Sequence, residues 1–180
     1  MQEITLNELN EYCSRAVGQI NHVYCHWTAG RYDQKFNDYH ICIDGDGKIW
    51  IDGELTDHKS HTYMRNTGAV GIALCCAFDA VSVDDLGTYP PTEKQLNALA
   101  QVVACLCVDL GLPADIEHVM THAEAADNMD GVYRHEPYGP TTTCERWDLW
   151  VLRQGEKPGT GGDQIRGNAR FYAEQWGSHI

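Results

Sequence analysis

The sequence predicts a single α/β domain, a mixed central β-sheet flanked by helices. Three observations carry this expectation. Strand-like and helix-like segments interleave along the chain, at least one tight hairpin stands among them, and 180 residues suffice for one domain with a real hydrophobic core.

Taken in order, Thr5 or Asn7 can cap a first helix running to about Val17, with Leu6, Leu9, Cys13 and Val17 recurring at helical spacing. Ile20 to His26 reads as a strand that stops at the turn-forming Thr28-Ala29-Gly30, which leaves His26 at its end. Tyr39 to Ile43 and Lys48 to Ile51 flank Asp44-Gly45-Asp46-Gly47, and glycine tolerates the positive φ of a tight turn, so an antiparallel pair follows. Ala69 to Ala77 is a near-continuous apolar run, long enough for a central strand buried on both faces. After Pro90-Pro91, Thr92 to Gln95 forms a capping box for a helix ended by Gly111 and Pro113. A short strand, Glu117 to Thr121, delivers His122, and Ala123 to Thr143 reads as loop, rich in Gly, Pro, Asp and His. Lys157 to Gly162 is linker-like and Asp163 can cap a last helix, so the expected division is a main domain over 1–155 and a Gly-rich linker with a docked helix over 156–180.

Composition narrows the function classes. The net charge of −13 opposes binding to nucleic acid, whose phosphates the summed field would repel. At 22% charged residues the chain is too polar throughout for a membrane span. The start lacks a basic stretch followed by an apolar run, which implies synthesis in the cytoplasm without a secretory signal. The eight cysteines lie mostly in apolar runs without Cys-x-x-Cys spacing, so they read as buried free thiols in a reducing compartment. Nothing in the sequence sets the oligomeric state.

Any one of the nine histidines, taken singly, is more often a structural or surface residue than a ligand. His26 and His122 stand apart because each ends an apolar strand and enters a loop, where imidazoles can converge on one ion.

An ordered set of pieces then resembles a known family. The pieces are His26-Trp27-Thr28-Ala29-Gly30, Tyr39 to Gly47, His61-Thr62 with Asn66, Ala69 to Leu74, Thr92 to Gln95 with its helix, and Thr121-His122-Ala123-Glu124. Together they resemble the type 2 N-acetylmuramoyl-L-alanine amidases, which include phage amidase lysozymes and the peptidoglycan-recognition proteins. The resemblance implies hydrolysis of the amide between N-acetylmuramic acid and L-alanine in peptidoglycan, as in a phage or prophage endolysin that acts on the wall after release. It also implies a zinc ion (Zn2+) held by His26, His122 and a third ligand, with one tetrahedral position left open for water. On that reading residues 1–155 form the zinc amidase domain.

Asp148 and Cys144 compete for the third position. Relatives often carry a cation two residues before the ligand, and Arg146 stands so to Asp148, whereas Thr142 stands so to Cys144. Asp148 is therefore favoured, with Arg146 stabilising the developing oxyanion. Tyr39 matches the family tyrosine that hydrogen-bonds the reacting oxygen, and Thr62, Arg65 and Asn66 fall where the family lines its substrate groove. Glu124 could brace a ligand histidine or simply be solvated. Two other readings compete with this one. The first is a non-catalytic peptidoglycan-binding recognition module. The second is an unrelated hydrolase with Cys144 as nucleophile and His122 or His135 as base, which suits the residue types but not the family order.

Overall fold

The computed structural model describes residues 1–180. Its elements in chain order are β1 (Gln2–Ile4), α1 (Leu6–Ser14), β2 (His22–Trp27), β3 (Ile41–Ile43), β4 (Ile49–Ile51), β5 (Ala69–Leu74), α2 (Glu93–Leu110), β6 (Val119–Thr121), α3 (His122–Ala126) and α4 (Gly161–Gln175). One six-stranded sheet runs in the order β1-β4-β3-β5-β2-β6. Its inner pairings, β3 with β5, β5 with β2 and β2 with β6, are parallel, while β3–β4 and β1–β4 are antiparallel. The fold is thus a single mixed α/β domain, and no helix is long and apolar enough to cross a membrane.

The two faces of the sheet differ, and the difference follows from side-chain alternation along each strand. Val23, Cys25 and Trp27 of β2 and Val70, Ile72 and Leu74 of β5 join the main core with α1, α2 and α4. The intervening residues of β5, Ala69, Gly71 and Ala73, are small and fully enclosed on the other face. There they leave room for imidazoles: a Cβ on Gly71 would stand 2.6 Å from the ring of His61. The apolar run of β5 therefore encodes bulk on one face and space on the other.

Several local signals act as the sequence implies. Thr5 caps α1 in a box with Glu8, Thr92 caps α2 in a box with Gln95, and Gly111 ends α2 in the left-handed conformation at φ 71°. Asp44 organises the hairpin turn by accepting from the N–H groups of Asp46 and Lys48 and from the Trp50 indole. Other details differ. β1, at the edge of the sheet, has too short a pattern to read. The residues after β6 begin with a helical turn, because Thr121 and Glu124 form a further capping box. Thr160, not Asp163, stands before α4, and Asp163 lies in its first turn paired with Arg166. Tyr39 precedes β3 in a turn instead of lying within the strand.

Candidate metal centre and groove

His26 sits on β2 next to the end of the strand, and its side chain points away from the helix-covered face. On the neighbouring strand β6 the chain turns directly into α3, whose first residue is His122. Parallel pairing of the two strands thus brings both histidines to the same end of the sheet. Their Nδ1 atoms stand 3.0 Å apart. Asp148 arrives from the segment after the long loop, with Oδ2 3.2 Å from His122 Nδ1 and 3.5 Å from His26 Nδ1.

Three donors held about 2.0–2.1 Å from one tetrahedral ion stand about 3.3 Å apart, so the observed 3.0, 3.2 and 3.5 Å fit a single metal without rearrangement. Two imidazoles and a carboxylate are a zinc donor set that leaves a fourth position open. The outer ring nitrogens are held as well. His26 Nε2 lies 3.2 Å from the Thr62 hydroxyl, which is also 2.8 Å from His61 Nδ1, and His122 Nε2 lies 3.4 Å from the Tyr138 hydroxyl. Such partners fix ring orientation and choose which nitrogen carries a proton.

Electrostatics agree with a cation at this point. Burial opposes the charge on Asp148, yet His122 and His26 hold its carboxyl well below the usual range. Burial drives the His26 imidazole down to about 4, only partly offset by its bond to Asp148. His26 is therefore suited to offering a lone pair at neutral pH.

The centre lies beside an open groove of about 670 Å³, walled by Ser60 to Tyr63 and Asn66 on one side and by His135 to Tyr138, Thr143, Glu145 and Arg146 on the other. Arg146 is exposed there, its guanidinium 5.9 Å above the Tyr138 ring. Tyr39 packs its ring 5.1 Å from that of His26, and burial raises its phenol well above the ordinary value, with the charge of Asp148 acting the same way. Asn66 accepts from the backbone N–H groups of His61 and Thr62 and so shapes the turn that presents Thr62.

Arg65 is not part of the groove wall. It is buried in an ion pair with Asp130, Nη1 to Oδ2 2.6 Å and Nη2 to Oδ1 3.1 Å, and also donates to Asn128 and to the carbonyl of Val132. Its work is to tie the loop after α3 to the segment that leads into β5. Cys144 is exposed, in a strained left-handed conformation at φ 60°, and outside the His26, His122 and Asp148 group.

The family model described as N-acetylmuramoyl-L-alanine amidase matches residues 16–145, more than two thirds of the chain.

The chain belongs to the N-acetylmuramoyl-L-alanine amidase family.

The amidase match includes His26, Tyr39, Thr62 and His122 but stops short of Arg146, Asp148 and α4. The third candidate donor, Asp148, thus lies outside the matched residues. Among solved structures, the chain is similar to an endolysin N-acetylmuramoyl-L-alanine amidase from Clostridium intestinale, at 18% identity over 68% of this chain and 76% of that one, with a TM-score of 0.47. It is similar to the Drosophila peptidoglycan recognition protein SD at 15% identity over 61% and 73% of the two chains, TM-score 0.47. It is also similar to an endolysin of a Thermus scotoductus bacteriophage at 16% identity over 59% and 73%, TM-score 0.45. No curated protein matches it.

Two features of the candidate site do not show in the sequence. Tyr138 lies in the segment without periodic pattern, and only its contact with His122 reveals it. Glu124, ambiguous in sequence, is buried and held by Arg166 of α4.

Proposed function

We propose that this chain is a zinc-dependent N-acetylmuramoyl-L-alanine amidase, cutting the amide between N-acetylmuramic acid and L-alanine of bacterial peptidoglycan. The observation that carries the proposal is the convergence of His26 Nδ1, His122 Nδ1 and Asp148 Oδ2 beside the groove of a chain in this family. His26, His122 and Asp148 would hold the ion, which when bound supplies a Lewis acid and lowers the pKa of a water toward 7.

The remaining chemistry falls to the chain's own side chains. Tyr39, kept protonated by burial, can donate its hydroxyl to the carbonyl oxygen as negative charge develops there. Arg146 offers a permanent cation from the groove wall and can stabilise charge, but it cannot supply a proton. Thr62 and Tyr138 keep the two imidazoles aimed inward, while the open groove accepts an extended glycan with its stem peptide. Thr62 and Asn66 stand where that substrate would lie. Synthesis in the cytoplasm followed by action on the wall after release, as in a phage or prophage endolysin, completes the reading.

Elemental analysis of the purified chain, followed by release of free stem peptides from isolated cell walls, tests it. Zinc at the site and peptide release abolished by chelation are expected. Zinc binding with no release would leave a recognition module in place of an enzyme, and undiminished release after metal removal would overturn the mechanism.

A further inference from the structure

We infer that the chain carries a second metal site, for a soft divalent cation such as zinc, between α1 and α2, built from Cys13, Cys105 and Asp109 with Asn10 at its edge. On α1, Asn10 and Cys13 are three residues apart, and on α2, Cys105 and Asp109 are four apart. Both spacings bring side chains onto one face of a helix. Because the two helices pack on one another, the two pairs meet. The sulfurs of Cys13 and Cys105 and a carboxylate oxygen of Asp109 all lie within 4.8 Å of one another. Cys105 Sγ is 3.7 Å from Asp109 Oδ2 and 3.0 Å from Asn10 Oδ1.

The distances suit coordination. With sulfur about 2.3 Å and oxygen about 2.0–2.2 Å from a tetrahedral ion, a sulfur and an oxygen stand about 3.6 Å apart. The Cys105 to Asp109 separation meets this as it stands, and Asn10, at 3.0 Å, would move outward by about 0.6 Å to join as a ligand. The donor set, two thiols with oxygen, is that of a zinc-like ion and not of calcium or magnesium, which take oxygen ligands.

The charge balance points the same way. Both sulfurs are buried between α1 and α2, at the edge of the apolar core. Asp109, partly buried beside them, enters no ion pair with any lysine, arginine or histidine. Asn10 and Asp109 are held there only by weak thiol hydrogen bonds from Cys105, which a cation would replace with coordination. A cleft bordered by Asn7, Asn10, Cys105, Asp109 and Trp176 opens onto the cluster and gives an ion a way in. The other close thiol pair, Cys42 and Cys75, has no carboxylate among its metal-competent neighbours, so it forms no comparable group. None of these residues belongs to the groove, so the inference stands independently of the catalytic reading.

Cobalt substitution of the full chain tests it. His26, His122 and Asp148 include no thiol, and Cys144→Ser removes the one exposed cysteine near the groove, so a near-ultraviolet thiolate-to-cobalt charge-transfer band that persists in Cys144→Ser reports the second site. The band is expected in the wild-type chain and in His122→Ala, and is expected to vanish in Cys105→Ser and in Asp109→Asn. Elemental analysis should give one zinc equivalent fewer in Asp109→Asn than in wild type. Absence of the band in the folded wild-type chain would overturn the site, as would a full zinc complement in Asp109→Asn. A Cys13–Cys105 disulfide, seen as two lost thiols and unresponsive to metal, would also overturn it.

Discussion

Arg166 grips the carboxylate of Glu124 with both arms of its guanidinium, Nη1 to Oε1 and Nη2 to Oε2 at 2.8 Å each. Both side chains are almost wholly enclosed. Glu124 lies two residues past His122, and its Oε1 also accepts the Thr121 N–H, while Arg166 donates to the carbonyl of Val119. The first residues of α4 press on the same parts. A Cβ at Gly162 would stand 2.2 Å from Glu124 Oε1, and one at Gly161 would stand 1.9 Å from the carbonyl oxygen of Leu149, the residue after Asp148. The C-terminal helix, outside the family match, thus braces the backbone carrying two of the three candidate ligands.

Arg166→Met should therefore destabilise the chain by about 3–5 kcal/mol, because it strands a buried carboxylate. Urea unfolding measures it. Arg166→Met combined with Glu124→Leu should recover much of the loss, since an apolar pair replaces the ion pair. A single variant as stable as wild type would show that the pair braces nothing.

Much of this was legible in the sequence where the signal is local. The Asp44 turn, the capping threonines Thr5 and Thr92 and the C-terminal Gly111 act within a few residues, so composition and spacing reveal them. His26 and His122 stand out in the sequence because one lies next to the end of an apolar strand and the other just past one. Arg65 was misplaced because polarity in a loop cannot distinguish a groove residue from one that finds Asp130 far along the chain. Arg166, Tyr138 and the Cys13–Cys105 contact fail to show for the same reason: their partners lie tens of residues away and only packing brings them together.

Asp148→Ala should lose zinc and peptide release, whereas Cys144→Ser should retain both. Asp148 is buried within reach of both imidazoles, and Cys144 is exposed and outside the cluster. Arg146→Ala should keep zinc and lose rate, since it stands on the groove wall without contacting the donors. Zinc lost in Cys144→Ser but kept in Asp148→Ala would transfer the ligand role.

Tyr39 and Tyr138 should separate by readout. Tyr39→Phe should keep zinc and slow turnover roughly a hundredfold, the usual loss for one oxyanion donor. Tyr138→Phe should instead weaken zinc binding by about tenfold, because it removes the hydroxyl facing His122 Nε2. Chelator competition and turnover of the fully loaded protein distinguish the two effects. Unchanged zinc affinity in Tyr138→Phe would reduce that contact to packing.

The last prediction concerns acid and the metal-free chain. His61 packs under Gly71 with Nε2 buried and unpartnered, and burial, aided by His26, His40 and His122, pushes its pKa down to about 2. Unfolded, the same imidazole titrates near about 6.5. Between those values the unfolded chain holds a proton that the folded chain refuses, so stability must fall as pH drops below about 6.5. His61 alone sets a slope of about 1.4 kcal/mol per pH unit, and His40 and His26, also lowered by burial, steepen it in the same direction until each reaches its folded pKa. Urea unfolding of EDTA-treated protein between about pH 7 and about pH 5 should show this loss. In His61→Gln, which cannot take up the proton, the slope should be shallower by about 1.4 kcal/mol per unit. Identical slopes in the two proteins would mean that His61 is hydrated and titrates freely in the fold.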